Sequence, residues 1–223
     1  MPADADHSLP YMIRDDRIVA VPFRNIDAVG PAGSINSSVE EMLHYIQMNI
    51  DQGSWRGTQL FSKDVARAMQ SPQSATGGVA EYAELGPGAY GLGLSVSGYR
   101  GQTLVAHGGG IDGFISSMSW MPGARTGVVV LTNLSGNNPV PTIVMRGVYD
   151  RLLGLEPADW FGRSKAEGEA AEQRRQEQER AREAERVAGT APSHVLAAYA
   201  GAYEHPAYGR ADIALRADRL ALT

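Results

Sequence analysis

Three segments decide how this chain is read: Tyr90-Gly91-Leu92-Gly93-Leu94, then Val105-Ala106-His107-Gly108-Gly109-Gly110-Ile111-Asp112-Gly113-Phe114, then Val128-Val129-Val130-Leu131-Thr132-Asn133. The middle one places four glycines within six residues, between two stretches of strand-like composition. Glycine there permits close backbone approach, either to a ligand or to neighbouring chain. A titratable His107 at the head of the run faces whatever comes close. Residues 108–113 also satisfy the spacing G-x-G-x-x-G. A dinucleotide site needs a helix N-terminus after the glycines, and Phe114-Ile115-Ser116 reads as strand, so that site is rejected.

Outward from this centre, Thr103–His107 and Phe114–Met121 read as strands, the second ended by Pro122-Gly123. Tyr90–Val96 reads as a strand, and residues 72–89 read as loop, with Gly77-Gly78 and Gly86-Pro87-Gly88. Thr126–Asn133 reads as a strand buried on both faces. Val140–Leu153 reads as a helix with Ile143, Val144, Val148 and Leu152 as its apolar stripe. Ser38-Val39-Glu40-Glu41 is a capping box opening a helix through Leu43, Ile46 and Ile50, with Gly53 as its stop. A second helix is expected from Ser62 to the Ser71-Pro72 break. The fold class expected is α/β (α+β), an antiparallel sheet flanked by helices.

Beyond residue 160 the composition changes. Lys165–Arg186 carries six basic and seven acidic residues and nothing apolar larger than Ala. It predicts a solvated helical linker with i,i+3 pairs such as Glu172/Arg175, Glu177/Arg180 and Glu179/Arg182. Without an a/d apolar seam it is no coiled coil. From Ala191 the pattern is strand-like again, the start of a β-meander.

Composition excludes several function classes. There is no Cys among the 223 residues, so disulfide scaffolds, thiolate metal sites and Cys nucleophiles are ruled out. A net charge of −5 with no compact basic patch argues against nucleic acid as a partner. No apolar run approaches the ~18 residues of a membrane span. The five histidines lack ligand spacing, which argues against a metal site. No G-x-x-x-x-G-K-[ST], H-E-x-x-H or G-x-S-x-G occurs. Met1–Asp16 lacks the basic and apolar regions of a signal peptide, and the compartment stays open.

The segments around His107 resemble the serine β-lactamase and penicillin-binding-protein-like hydrolases, in the class C β-lactamase, D-aminopeptidase and esterase branch. Members carry three boxes: Ser-x-x-Lys, Tyr-x-Asn or a variant, and Lys-Thr-Gly or a His-x-Gly equivalent. His107-Gly108-Gly109 resembles the third box, and Gly110-Ile111-Asp112-Gly113-Phe114 resembles its continuation. Pro31 to Met42 is similar to the family's entry to a helix, and Tyr90–Leu94 and Leu131–Asn133 fit their usual places. The resemblance covers roughly residues 8 to 155.

The resemblance implies a nucleophilic Ser that attacks an amide or ester carbonyl and forms an acyl-enzyme. It implies that His107 orients or holds the substrate or the second-box Tyr, that the Gly110 N–H is an oxyanion donor, and that Gly108 and Gly109 border the bound substrate. The implied partner is a small molecule or peptide: a D-amino-acid peptide, a small ester or a β-lactam. No cofactor is implied. The sequence departs from the family in two places: neither Ser-x-x-Lys nor Tyr-x-Asn is present. The expectation is therefore of a C-terminal portion of the hydrolase domain over 1–160, a charged linker over 161–190, and a truncated lipocalin-like β-domain, a partial barrel, over 191–223. Such a portion is expected to be inactive alone and to expose a sheet edge through which it self-associates. Two other readings stand beside this one: a non-catalytic remnant that binds a peptidoglycan-like ligand or a partner, and an interaction fragment assembled through its charged linker.

Overall fold

The computed structural model describes residues 6–76, 78 and 80–223. The chain forms two compact units divided between Ala166 and Glu167. The elements in order are β1 (Tyr11–Arg14), β2 (Arg17–Ala20), the short α1 (Gly30–Gly33), α2 (Val39–Ile50), β3 (Ser54–Trp55), β4 (Thr58–Gln59) and α3 (Lys63–Met69). Then come β5 (Ser74–Ala75), β6 (Leu85–Tyr90), β7 (Ser95–Tyr99), β8 (Gln102–Ile111), β9 (Phe114–Met121), β10 (Thr126–Thr132) and β11 (Leu134–Ser135). The helices α4 (Val140–Leu152) and α5 (Trp160–Glu185) follow, and β12 (Gly201–His205), β13 (Gly209–Arg216) and β14 (Arg219–Leu222) complete the chain.

The first unit is built on a six-stranded antiparallel sheet in the order β10-β9-β8-β7-β6-β5. Cross-strand partners share a face, so the register assigns every side chain. On one face Val105 and Trp120 pack with Ile46 and Ile50 of α2, Leu94 and Met69 of α3. On the other, Tyr99, Leu104, Met121 and Val128 pack with Met145 and Tyr149 of α4 and with Trp160 of α5. The Trp120 indole donates to Gln70 Oε1 at 2.9 Å, and Gln70 Nε2 donates to the Asn49 carbonyl at 3.1 Å, which ties α2 and α3 to the sheet.

The helix starts follow the sequence. The Glu41 N–H donates to Ser38 Oγ and the Glu41 carboxylate accepts from the Ser38 N–H, the reciprocal capping box. Ser62 caps α3 through the Val65 N–H at 3.2 Å.

Other expectations are corrected. Residues 85–89, read as loop because of Gly86-Pro87-Gly88, belong to β6, and within the strand expected at Tyr90–Val96 residues 91–94 are a turn, with Tyr90 ending β6 and Ser95-Val96 opening β7. The reason is backbone approach: a β-carbon on Gly86 would lie 2.8 Å from Gly98 Cα, and one on Gly98 2.9 Å from Gly86 Cα. The register shifts between Leu85 and Gly88 at this crossing. Gly77, part of the expected loop, lies outside the described residues. The β10 strand has a helix on each face, yet Leu131 is exposed. Within α4 the buried side is Met145, Tyr149 and Asp150, with Ile143 and Val148 packed beside it, whereas Val144 and Leu152 face solvent. Asp150 turns the helix: its carboxylate accepts from Tyr99 Oη (2.7 Å), Arg100 Nε (3.1 Å), Trp160 Nε1 (2.8 Å) and the Ala158 N–H (3.1 Å).

In the second unit, the helical residues after Ala166 are solvated, with an Arg175–Glu172 pair at 2.8 Å. The strands β12, β13 and β14 form an antiparallel meander. Three strands in a row make no closed barrel. No helix of the described residues is long and apolar enough to cross a membrane.

Candidate functional site

Gly108, Gly109 and Gly110 lie inside β8, and of the four glycines only Gly113 lies between the two strands. His107, Gly108, Gly109 and Gly110 stand opposite Met118, Ser117, Ser116 and Ile115 of β9, and the chain reverses only at Asp112-Gly113. Alternation puts His107 and Gly109 on the face of Val105 and Trp120, the face that α2 and α3 cover. That cover ends before His107. All four residues from His107 to Gly110 are exposed, while Leu104 and Val105 are buried. A strand that is core at one end thus emerges bare at the other.

Around His107 the same face carries Met118 and Ser116 from β9. The Tyr90 ring, at the end of β6, meets the imidazole edge-on with centroids 6.5 Å apart. Ser116 lies over Gly109: its hydroxyl donates to the Gly109 carbonyl at 3.5 Å, and a β-carbon on Gly109 would stand 2.7 Å from Ser116 Oγ. A β-carbon on Gly110 would meet the Ile115 side chain at 3.2 Å. The missing side chains therefore leave a strip of accessible backbone flanked by one imidazole, one phenol and one hydroxyl.

The turn beyond this strip is fixed by residues far off in sequence. The Gly113 N–H donates to Ser135 Oγ at 2.9 Å, and the Tyr11 N–H donates to the Gly113 carbonyl at 3.4 Å. Buried Pro10 sits where a Gly113 β-carbon would be, and Gly113 has φ +85°. Phe23 stacks on Phe114 with centroids 6.2 Å apart, and Arg24 pairs with Asp112 at 2.6 Å. Asp112 is thus a turn residue with an ion-pair partner. Sequence reasoning missed Ser116 and the Pro10–Arg24 segment. Period-2 alternation counted outward from His107 and Phe114 would have found Ser116. Nothing local signals the clamp, which depends on long-range packing.

No Ser-x-x-Lys occurs in this sequence. Trp120 and Trp160 are buried packing residues. Among the described residues, no three His, Asp or Glu side chains are grouped so as to hold a metal ion.

Two proteins named as unguisins hydrolases are similar to the chain. The one from Aspergillus violaceofuscus (strain CBS 115571) is 27% identical over 91% of the chain, and the one from Aspergillus campestris (strain IBT 28561) 26% over 84%. The chain spans 38% and 35% of their lengths. The fold is that of the octameric penicillin-binding protein homologue from Pyrococcus abyssi, with a TM-score of 0.58 and 21% identity over 99% of this chain and 42% of that one. The profile of a domain of unknown function, DUF3471, matches residues 185–223. The profile of the beta-lactamase family matches residues 2–145, more than half of the sequence and all of the His107 strand, and the chain belongs to that family.

Proposed function

We propose that this chain supplies the third-box side of a serine hydrolase that cleaves amide or ester bonds through an acyl-enzyme. The observation that carries the reading is the bare half of β8: His107 followed by three exposed glycines, in a central strand of a beta-lactamase-family sheet. The hydrolase names of the two fungal relatives support the same reaction class. Substrates of matching chemistry are D-amino-acid peptides, small esters and β-lactams.

In this reading the substrate lies along the glycine strip. Gly108 and Gly109 let its backbone approach without a side chain in the way. The nucleophile oxygen adds to the carbonyl carbon, and the carbonyl oxygen takes up the negative charge. The Gly110 N–H stabilises that oxyanion, a contribution of about 3 kcal/mol for one such donor. The C–N or C–O bond to the leaving group then breaks, and water releases the acyl group. His107 orients the substrate or the second-box Tyr. The nucleophile, its base and the second-box Tyr come from polypeptide outside these 223 residues. Residues 1–160 serve as the C-terminal portion of the hydrolase domain, 161–190 as a linker, and 191–223 as part of a lipocalin-like β-domain.

A second reading, a non-catalytic remnant that binds a peptidoglycan-like ligand, is favoured by one observation, the lack of Ser-x-x-Lys and Tyr-x-Asn. Incubation with a fluorophosphonate or a fluorescent penicillin, followed by intact-mass analysis, separates the two. The hydrolase reading expects no adduct on this chain and a stoichiometric adduct on a longer polypeptide that includes a Ser-x-x-Lys. It further expects His107→Ala to slow acylation there by about 10²-fold. An adduct on the present chain would overturn the box assignment. Absence of an adduct on the longer polypeptide would favour the remnant.

A further inference from the structure

The glycine strip runs into an apolar surface assembled from distant parts of the chain. Cross-strand partners share a face, so Gly109 with Ser116, and then Ile111 with Phe114, continue the face of His107. Leu131 of β10 stands opposite Ser116 and belongs to the same face. The Phe23 ring stacks on Phe114, with centroids 6.2 Å apart and 22° between the planes. The His7 ring meets Phe23 edge-on, with centroids 5.6 Å apart. Ring pairs of this kind hold each other in place beyond what their buried area alone supplies.

The surface is braced and carries no unbalanced charge at this end. The Val21 N–H, two residues before Phe23, donates to the Pro10 carbonyl at 3.0 Å, and buried Pro10 is packed against Gly113. Asn133 Nδ2 donates to the neighbouring Leu9 carbonyl at 3.2 Å. Arg24 and Asp112, which adjoin the two phenylalanines, neutralise each other at 2.6 Å. Strand geometry then sets the reach. The next residue on the same face of a strand lies about 6.8 Å away, and the neighbour on the next strand about 4.8 Å. A methyl group on a substrate lying along the strip does not span those distances. A phenyl or branched alkyl group does, because it crosses above Gly109, where no side chain stands, and arrives at Phe114.

We propose that Phe23, Phe114 and Leu131 form an acyl-side subsite that takes an aromatic or large aliphatic side chain, so that the substrates of this site carry such a group next to the scissile carbonyl. The acyl part is the one concerned because it stays beside the Gly110 N–H through both attack and release, and Ile111 with Phe114 is the next pair along the hairpin. The leaving group departs after the first step. Phe23 is then a specificity-determining residue: it sets which acyl group is held and takes no part in the bond changes. The inference rests on the hydrolase reading for its reaction, whereas the apolar contact itself needs no nucleophile.

Two measurements test it. The longer polypeptide that includes a Ser-x-x-Lys is assayed with p-nitrophenyl acetate and p-nitrophenyl 3-phenylpropionate, which share one leaving group. kcat/KM is expected to favour the phenylpropionate by about 10-fold or more, the discrimination an apolar pocket gives. Phe23→Ala should lower that ratio about 10-fold, and Phe23→Leu should hold an intermediate value. Both esters are compared on one preparation, so a partly unfolded variant does not disturb the ratio. Hydrolysis without the preference, or a ratio unchanged in Phe23→Ala, would overturn the subsite and leave the hydrolase reading standing. In the second measurement 3-phenylpropionamide and acetamide are titrated into the 223-residue chain and its backbone amide resonances are followed. The phenyl amide is expected to shift Gly109, Phe114 and Leu131, and acetamide to leave them in place. Equal responses to the two amides would overturn the subsite. Shifts confined to the phenyl amide, with neither ester hydrolysed, would uphold the subsite and overturn the hydrolase reading instead.

Discussion

The Tyr99 hydroxyl donates a 2.7 Å hydrogen bond to Asp150 Oδ1, and both side chains are fully buried. The bond joins the end of β7 to helix α4, residues 51 positions apart. Arg100, next to Tyr99, reaches the same oxygen at 3.1 Å, and Trp160 brings the start of α5 to the other oxygen at 2.8 Å. One carboxylate thus gathers three elements of the first unit. Replacing it with Asn keeps the shape but removes the charge and turns one acceptor into a donor. Asp150→Asn is expected to destabilise the fold by about 3 kcal/mol, in the range for breaking a buried charged pair. Urea denaturation measures it; a loss below about 1 kcal/mol would show that the cluster is incidental.

The same group sets an acid limit. Burial pushes the Asp150 carboxyl up, but the hydrogen bonds from Tyr99, Arg100, Trp160 and the Ala158 N–H outweigh it and hold the group below the usual carboxylate range. Glu84 is lowered as well, chiefly by its hydrogen bonds with Arg163 at 3.0 and 3.2 Å. Carboxylates titrate near about 4 when unfolded. The unfolded chain therefore binds these protons first, and the stabilisation is present above about pH 4 and lost as pH falls through the lower folded values. Melting temperature should hold on the neutral side and drop below pH 4, with a shallower drop in Asp150→Asn. A variant as acid-sensitive as the parent would place the effect elsewhere.

Ser116 and Gly109 are coupled by space. A methyl at 109 would stand 2.7 Å from Ser116 Oγ, so Gly109→Ala is expected to cost about 1 kcal/mol. Ser116→Ala removes the oxygen, and the double variant should recover most of that loss. A double-mutant cycle by thermal unfolding should show a coupling near about 1 kcal/mol. Strictly additive effects would mean that the strand shifts instead.

Parts of this architecture were legible because their causes are local. Ser38 and Glu41 satisfy each other's backbone neighbours, and Ser62 caps α3, so both helix starts follow from a few adjacent residues. β9 and β10 follow from β-branched and apolar runs closed by Pro122-Gly123. Misreadings arose where a distant partner decides. Gly86 and Gly88 belong to a strand only because β7 brings Gly98 against Gly86. The inner face of α4 is set by Asp150, whose partners are Tyr99, Arg100 and Trp160, so a count of apolar residues selected Val144 and Leu152 wrongly. At the site, His107 and the glycines stood out by composition. Their neighbours Ser116 and Tyr90 come from other strands, and the Pro10–Gly113 contact spans about a hundred residues.

The crossing of Gly86 and Gly98 has a consequence for how this lineage can change. At each position the room for a β-carbon is filled by the other's main chain, so no compensating substitution can open it. Ordinary tight contacts drift in pairs, one residue shrinking as its neighbour grows. Here both are already at the lower limit of size. The two sites behave as a single inherited character, kept together or lost with the strand bulge beside them. A library randomised at 86 and 98 and selected for folding should return glycine at both, and recovery of alanine pairs at appreciable frequency would refute the constraint.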